Sequence, residues 1–307
     1  MLEVGLVGLV GSGKSTLFKA LTGVDPSAGE YGKPHVGMAS IPDERLPVVA
    51  RIVGSGEATP ATIRVTDPPG LSPAVLGELR QADALLAVTR AFGTDVDRAR
   101  DEETLNLELV VADRDHVERR LERVRTQAKS GDPQVKQEVA DLERVLAHLE
   151  QGSSLADYPD ELPPELEPLT TKPLVRVVNG EGGVDLSLEA ELADLPADEA
   201  AAFRDGPSAL ETAIGALFDQ AGLLTFFTAN EKEARAWTLK TGSSALDAAG
   251  SIHTDMARGF IRCEVIAYED LVDAGSRAEA ARRGVQRLEG KTYTVADGDL
   301  LNVRFNV

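Results

Sequence analysis

The apolar positions of the chain follow two rhythms. Short continuous runs at Glu3 to Leu9, Thr62 to Thr66, Ala84 to Val88 and Leu174 to Val178 have the length of buried strands. Between them lie stretches with apolar residues three and four apart: Leu17, Phe18 and Leu21, closed by Gly23, and the segment Ala74 to Gln81. Strands alternating with helices predict a parallel α/β sheet, because a parallel pair needs a crossover and a helix is the usual one. Residues 24 to 60 are rich in Gly, Pro and Ser and show no long periodic segment, which predicts a long connection with one short helix near Asp43 to Ile52.

From about Asp101 to Gln151 the rhythm becomes that of charged helices. Leu107, Val110, Val111, Val117, Leu121 and Val124 stripe one arm; Val135, Val139, Leu142, Leu146 and Leu149 stripe the other, and S-G-D-P at 130 to 133 breaks them apart. Two such stripes bury each other in an antiparallel helical hairpin. A linker rich in Pro and Glu, Tyr158 to Pro168, leads back to the strand that ends in Asn179. Only six residues then precede L-S-L-E at 186 to 189, which reads as strand, and so short a span leaves no room for a crossover helix. The last part, from about Leu224, has strands at Ala234 to Leu239 and Ile261 to Ala267, a helix at Ala245 to Ser251 and a final alternation of Leu301, Val303, Phe305 and Val307. This is an α+β pattern.

Charge sharpens the division. The chain of 307 residues carries 32 Lys+Arg against 51 Asp+Glu, a net −19, yet residues 226 to 307 hold 11 basic and 12 acidic side chains, so the excess acid lies upstream. A surface this acidic excludes a general nucleic-acid coat, so no DNA partner is expected and RNA contact is confined to a local patch. One cysteine, Cys263, and four histidines exclude a disulfide framework and a Cys/His zinc cluster. The N-terminal apolar run is too short to span a membrane and lacks a basic flank, so a cytoplasmic protein without membrane contact is expected.

The chemistry concentrates in G-L-V-G-S-G-K-S at 8 to 15, between a strand and a helix, where a phosphate-binding loop belongs. Gly8, Gly11 and Gly13 let the chain curl through Ser12 so that successive N–H groups face a phosphate, and the helix N-terminus adds positive potential. Lys14 reaches the outer phosphates, and Ser15 can ligate Mg²⁺. D-P-P-G at 67 to 70 places Asp67 at a strand end to hold Mg²⁺ through water and Gly70 to offer its N–H to a γ-phosphate. Leu71 follows, where many such enzymes place a Gln that orients water; a Leu cannot do that.

K-S-T-L-F-K-A-L-T (14 to 22), P-D-E-R-L (42 to 46), D-x-x-G-L (67 to 71), E-L-x-x-A-D (108 to 113), F-F-T-A-N-E-K-E-A-R-A-W-T (226 to 238), A-A-G-S-I-H-T-D (248 to 255), G-F-I-R-C-E-V-I (259 to 266) and L-E-G-K-T-Y-T-V-A-D-G-D (288 to 299) together resemble the YchF subfamily of Obg-like P-loop NTPases. The resemblance covers nearly the whole chain. It implies a P-loop NTPase parallel sheet (1–100 and 158–224), an inserted helical hairpin (101–157) and a C-terminal α+β β-grasp, or TGS, domain (225–307). It further implies that Gly8, Gly11, Ser12, Gly13, Lys14, Ser15, Thr16 and Gly70 meet the phosphates of ATP or GTP, that Ser15 and Asp67 hold Mg²⁺, and that Leu71 stands in the catalytic Gln's place. Such proteins hydrolyse nucleotide slowly and associate with ribosomes, here through the TGS domain and hairpin. The pattern departs from the family in three places. The base-reading N-x-x-E has become N-G-E-G, with Asn179 kept and Glu181 one residue early; the Thr-bearing first switch is shortened to Y-G-K-P-H-V-G-M (31 to 38), with no hydroxyl assigned to Mg²⁺; and the Gly-rich stretch after Leu71 is reduced to S-P-A-V-L-G. The implied function is a slow P-loop ATPase or GTPase, with a degenerate homologue that binds through its TGS surface as the alternative.

Four further features carry weaker expectations. Arg277, Arg282, Arg283, Arg287 and Lys291 form a basic stretch diluted by acids, the pattern of a solvated face, with contact to RNA phosphates as the alternative; His253 reads as a capping or packing residue, Trp237 as core and Cys263 as an inert buried thiol.

Overall fold

A computed structural model describes residues 2–28, 32–128, 132–163, 165–195, 197–203 and 208–306; Tyr31, Ser130, Gly131 and Val307, singled out above, lie outside them. In chain order the elements begin with β1 (Glu3–Val7), α1 (Lys14–Thr22), β2 (His35–Ile41), α2 (Arg45–Val53), β3 (Glu57–Thr59), β4 (Ala61–Asp67), α3 (Pro73–Gly77), β5 (Ala84–Ala91), α4 (Arg98–Gln127) and α5 (Pro133–Glu150). They continue with β6 (Leu174–Gly180), α6 (Leu186–Leu192), α7 (Ala197–Ala202), α8 (Ala209–Gln220), β7 (Leu223–Ala229), β8 (Glu233–Lys240), α9 (Ala245–Ile252), α10 (Thr254–Arg258), β9 (Phe260–Ile266), α11 (Tyr268–Ala274), α12 (Arg277–Arg283), β10 (Arg287–Glu289) and β11 (Leu300–Phe305). The chain divides into two compact units, residues 3–37 with 65–213 and residues 1–2, 38–64 and 214–307.

The five-stranded sheet runs β2-β4-β1-β5-β6, with β1 parallel to β5 and β5 parallel to β6. Val4, Leu6 and Val7 of β1 and the residues from Ala84 to Val88 of β5 are buried, as a sheet covered on both faces requires. The expected hairpin is present: Val117, Leu121 and Val124 of α4 pack on Leu142, Val145 and Leu149 of α5, and Arg120–Glu138 and Arg125–Glu143 pair across them at 2.7 Å each. Leu107 is the exception. It is exposed, because the buried stripe at that end runs through Leu105, Leu109 and Val110.

At the hairpin's base, Asp113 is buried and fully engaged. It accepts from Arg80 Nη1 (2.6 Å), Leu169 N (2.9 Å), Thr170 N (3.0 Å) and Thr170 Oγ1 (2.8 Å), while Arg80 also donates to the carbonyls of Ala112 and Glu167.

Two expectations fail here. Residues 186 to 189 are helix, not strand. Asp185 accepts from the N–H groups of Ser187 and Leu188 and so starts α6, whose buried Leu186, Glu189, Ala190 and Leu192 keep helical spacing. The connection from 24 to 60 holds the strands β2 and β3; the inward face of β2 is made by Gly37, Ala39 and Ile41, of which the first two are too small to register as apolar alternation.

The other unit carries a six-stranded sheet, β10-β9-β11-β7-β8-β3. β7, absent from the sequence reading, is central and pairs antiparallel with β8 and parallel with β11. Phe226, Cys263, Val265 and Leu301 of the sheet pack against Ala245, Ala248 and Ala249 of α9, which a Ser244–Asp247 capping box begins. Arg45 binds both Asp43 (2.8 Å) and Asp297 (2.6 Å) and lies over the Phe227 ring. Among the described residues no helix is long and apolar enough to cross a membrane.

Candidate functional site

The loop between β1 and α1 lies at the carboxyl end of the parallel strands, where an open α/β sheet leaves its crevice. Gly13 caps α1 in the left-handed region (φ 103°), and a Cβ there would overlap Asn179 Nδ2. Only glycine fits both demands. Asn179, at the end of β6, donates Nδ2 to Ser12 O at 3.0 Å and is buried, so it fixes the loop from below. Gly8 is equally constrained, since a Cβ there would stand 2.6 Å from Ser12 Oγ and 2.7 Å from Val88 O.

These elements wall a cleft of about 800 Å³, lined by Gly11, Gly13, Lys14, Ser15 and Thr16 on one side and by Asn179, Glu181, Asp185 and Ser187 on the other. The structure thus brings together residues 165 positions apart in the sequence. Lys14 has no side-chain partner among the described residues and faces this space. Ser15 Oγ donates to Asp67 Oδ2 at 2.8 Å. Asp67 is buried, and its Oδ1 has no hydrogen-bond partner among the described residues, an orphan that fits an oxygen-seeking divalent cation.

Glu181 sits on a tight turn held by Gly180 N to Val184 O (2.9 Å) and Gly183 N to Gly180 O (3.0 Å), and its own N–H is tied to Ala91 O (3.1 Å). Its side chain is exposed at the cleft. Gly70 is not among the cleft's lining residues, and Leu71 packs into the apolar cluster of Val7, Leu76 and Leu79.

Three residues at the site escaped the sequence reading. Phe92, just past β5, presents a half-exposed ring to the cleft. Asp185 lines it while capping α6. His35 reaches Asp67, with Nδ1 3.8 Å from Oδ2. Only Phe92 had a signal: an apolar aromatic directly after a buried strand.

The lesser features resolve simply. Arg282 and Arg283 pair with Glu279, Arg277 with Glu264, and Arg287 with Glu289 and Asp299, so the four arginines of the basic stretch have local acidic partners. His253 caps α10 through Nδ1. Trp237 stacks on Phe226 and donates to Thr228 Oγ1. Burial pushes the Cys263 thiol up to about 12.

A glycine-rich loop ending in Lys14 and Ser15, a helix begun on it and an Asp from a neighbouring strand define a P-loop protein of the NTPase fold. Residues 223–306 match the family model described as "YchF-GTPase_C, protein of unknown function (DUF933)". Across its whole length the chain is 35% identical to the "Ribosome-binding ATPase YchF" of Bacillus subtilis (strain 168), over 364 aligned positions covering 100% of each. It is 31% identical to the "Obg-like ATPase 1" of Oryza sativa subsp. japonica, covering 100% of this chain and 92% of that one. The solved structure of the Schizosaccharomyces pombe YchF GTPase superposes with a TM-score of 0.80 at 26% identity, covering 99% of this chain and 97% of that one. The chain belongs to the YchF family. An alignment of 364 positions against 307 residues also means that the Bacillus relative carries segments this chain lacks.

Proposed function

We propose that the chain binds a purine nucleoside triphosphate with Mg²⁺ in the cleft beside Lys14 and hydrolyses it slowly, in association with ribosomes. The observation that carries this reading is the loop clamped at Gly13 by Asn179, which aims backbone N–H groups, the α1 N-terminus and a free Lys14 into one cleft. The names of the relatives, ribosome-binding ATPases among them and a YchF GTPase, agree with it.

In this reading Gly8 to Thr16 wrap the phosphates, and Lys14 supplies the charge that meets the developing negative charge on them. Ser15 and Asp67 hold the cation, which when bound neutralises phosphate charge. Phe92 offers a ring face to the base, and Glu181 is its polar contact. Glu181 stands on glycines and in solvent, so it discriminates poorly; ATP and GTP affinities fall within about tenfold of each other, roughly 1.4 kcal/mol. With Leu71 drawn into an apolar cluster, no side chain after Gly70 orients water, and unstimulated turnover stays well below about 1 per second. We place the ribosomal contact on residues 225–307 and the hairpin of α4 and α5.

Calorimetric titration of the parent chain and of Lys14→Ala with ATP and GTP in Mg²⁺ tests the reading. The parent binds both, and the variant, folded as judged by circular dichroism, loses most of the affinity. Equal binding by both proteins, or none by the parent, refutes it. Co-sedimentation with ribosomes, with and without nucleotide, tests the partner.

A further inference from the structure

Residues 32 to 38 bring no hydroxyl to the cation site, yet they do bring a donor. His35 opens β2, and its Nδ1 stands 3.8 Å from the Asp67 oxygen that Ser15 Oγ already binds at 2.8 Å. The Phe18 ring, 6.0 Å away centroid to centroid, flanks the imidazole. His35 Nδ1 and Asp67 Oδ1 are both buried, and neither has a hydrogen-bond partner among the described residues. The Asp67 side chain is only 3% exposed and that of His35 25%.

Leaving a carboxylate oxygen and a ring nitrogen bare in the protein interior costs free energy unless something binds them. A separation of 3.8 Å is too long for a hydrogen bond. It suits two donors of one ion, which at about 2.0 to 2.2 Å from it lie roughly 3 to 4.4 Å apart. Ser15 Oγ, the Asp67 carboxylate and the His35 ring converge from α1, β4 and β2, so no local sequence pattern announces the set.

We propose that His35 is a nitrogen ligand of the divalent cation held by Ser15 and Asp67, and that it moves the site's preference from Mg²⁺ toward Mn²⁺ and the later first-row ions. This rests on the reading that a cation accompanies the nucleotide at those two residues. Mg²⁺ favours all-oxygen surroundings and dehydrates reluctantly, whereas transition-series ions gain from an imidazole. Among residues 32 to 38 a softer ligand thereby stands where a hydroxyl would, and it changes which ion the site takes.

The test uses Mn²⁺ with ADP on the full chain, with histidine either unlabelled or ¹⁵N-labelled, read by electron spin echo modulation. Bound Mn²⁺ should show coupling to a directly ligated imidazole nitrogen that changes with the label and disappears in His35→Ala. Calorimetry should show Mn²⁺ affinity about tenfold lower in that variant and Mg²⁺ affinity changed by less than threefold, while His35→Asn, an oxygen donor, restores a preference for Mg²⁺. Bound Mn²⁺ with no histidine coupling overturns the His35 assignment and leaves the Ser15–Asp67 cation site standing. No Mn²⁺ binding, with or without ADP, overturns both.

Discussion

Asp113→Asn removes a buried charge from a network in which every acceptor position is used. The wild-type carboxylate serves four donors: Arg80 Nη1 and Leu169 N on Oδ1, and Thr170 N and Thr170 Oγ1 on Oδ2. An Asn has one acceptor oxygen, so one side of the site must face an NH₂. The cheaper orientation turns the NH₂ to Thr170, whose hydroxyl can reverse and accept, and leaves the Thr170 N–H orphaned at about 1 to 3 kcal/mol. Arg80, whose side chain is 8% exposed, loses its counter-charge as well. Together these bring the expected loss to about 3 to 5 kcal/mol, the range for breaking a buried pair from one side.

With a urea slope of about 2 kcal/mol/M the midpoint falls by roughly 1.5 to 2.5 M. Circular dichroism at the helix band reads this, because α4 and α5 lie in the affected unit; fluorescence of Trp237 does not, since that residue belongs to the other. Arg80→Met should cost a similar amount, because it leaves the buried Asp113 carboxylate without its counter-charge and takes a donor from the carbonyls of Ala112 and Glu167, although Asp113 keeps three other donors. A midpoint shift under about 0.5 M for either variant would refute this account of the network.

Phe92→Ala should lower ATP and GTP affinity alike by about tenfold, as loss of a stacked base does, and leave tripolyphosphate binding unchanged; an equal loss for tripolyphosphate would place Phe92 on the phosphates instead. Cys263, with its thiol pushed up to about 12 by burial, should resist a disulfide reagent at pH 8 in the native chain and react only on unfolding. Arg45→Met should cost about 2 kcal/mol, mostly through the well-buried Asp43, with less than about 1 from the half-exposed Asp297. Burial opposes ionisation of Asp297, but the Arg45 guanidinium and the Thr225 N–H hold its carboxyl below the usual 3.8. That smaller share is therefore complete above pH 3.8 and fades as pH falls through the lower folded value, so Trp237 fluorescence should show the gap between variant and parent narrowing from pH 7 to pH 3.

What the sequence disclosed depended on how local the cause was. The loop from Gly8 to Ser15 and the helix after it were legible because glycine spacing, Lys14 and the apolar positions Leu17 and Phe18 all act within one turn and one helix. The hairpin was legible because its stripes are long. β2 was not, since Gly37 and Ala39 carry its buried face with almost no hydropathy. α6 was misread because Leu186 and Leu188 alternate like a strand, whereas Asp185 decides the matter by capping a helix that exposes Leu188. β3 pairs with β8 across more than 170 residues, and His35 meets Asp67 from another strand. Such meetings are set by topology, which no window of neighbouring residues contains.

Hydrogen exchange of the full chain, with and without saturating ATP and Mg²⁺, tests the central claim most directly, because it locates the ligand on the backbone. Protection should appear in peptides covering Gly8 to Thr16 and Asn179 to Ser187, the two walls of the cleft, and GTP should give the same pattern. Saturating binding that leaves both segments unprotected would contradict the assignment of the nucleotide to this site.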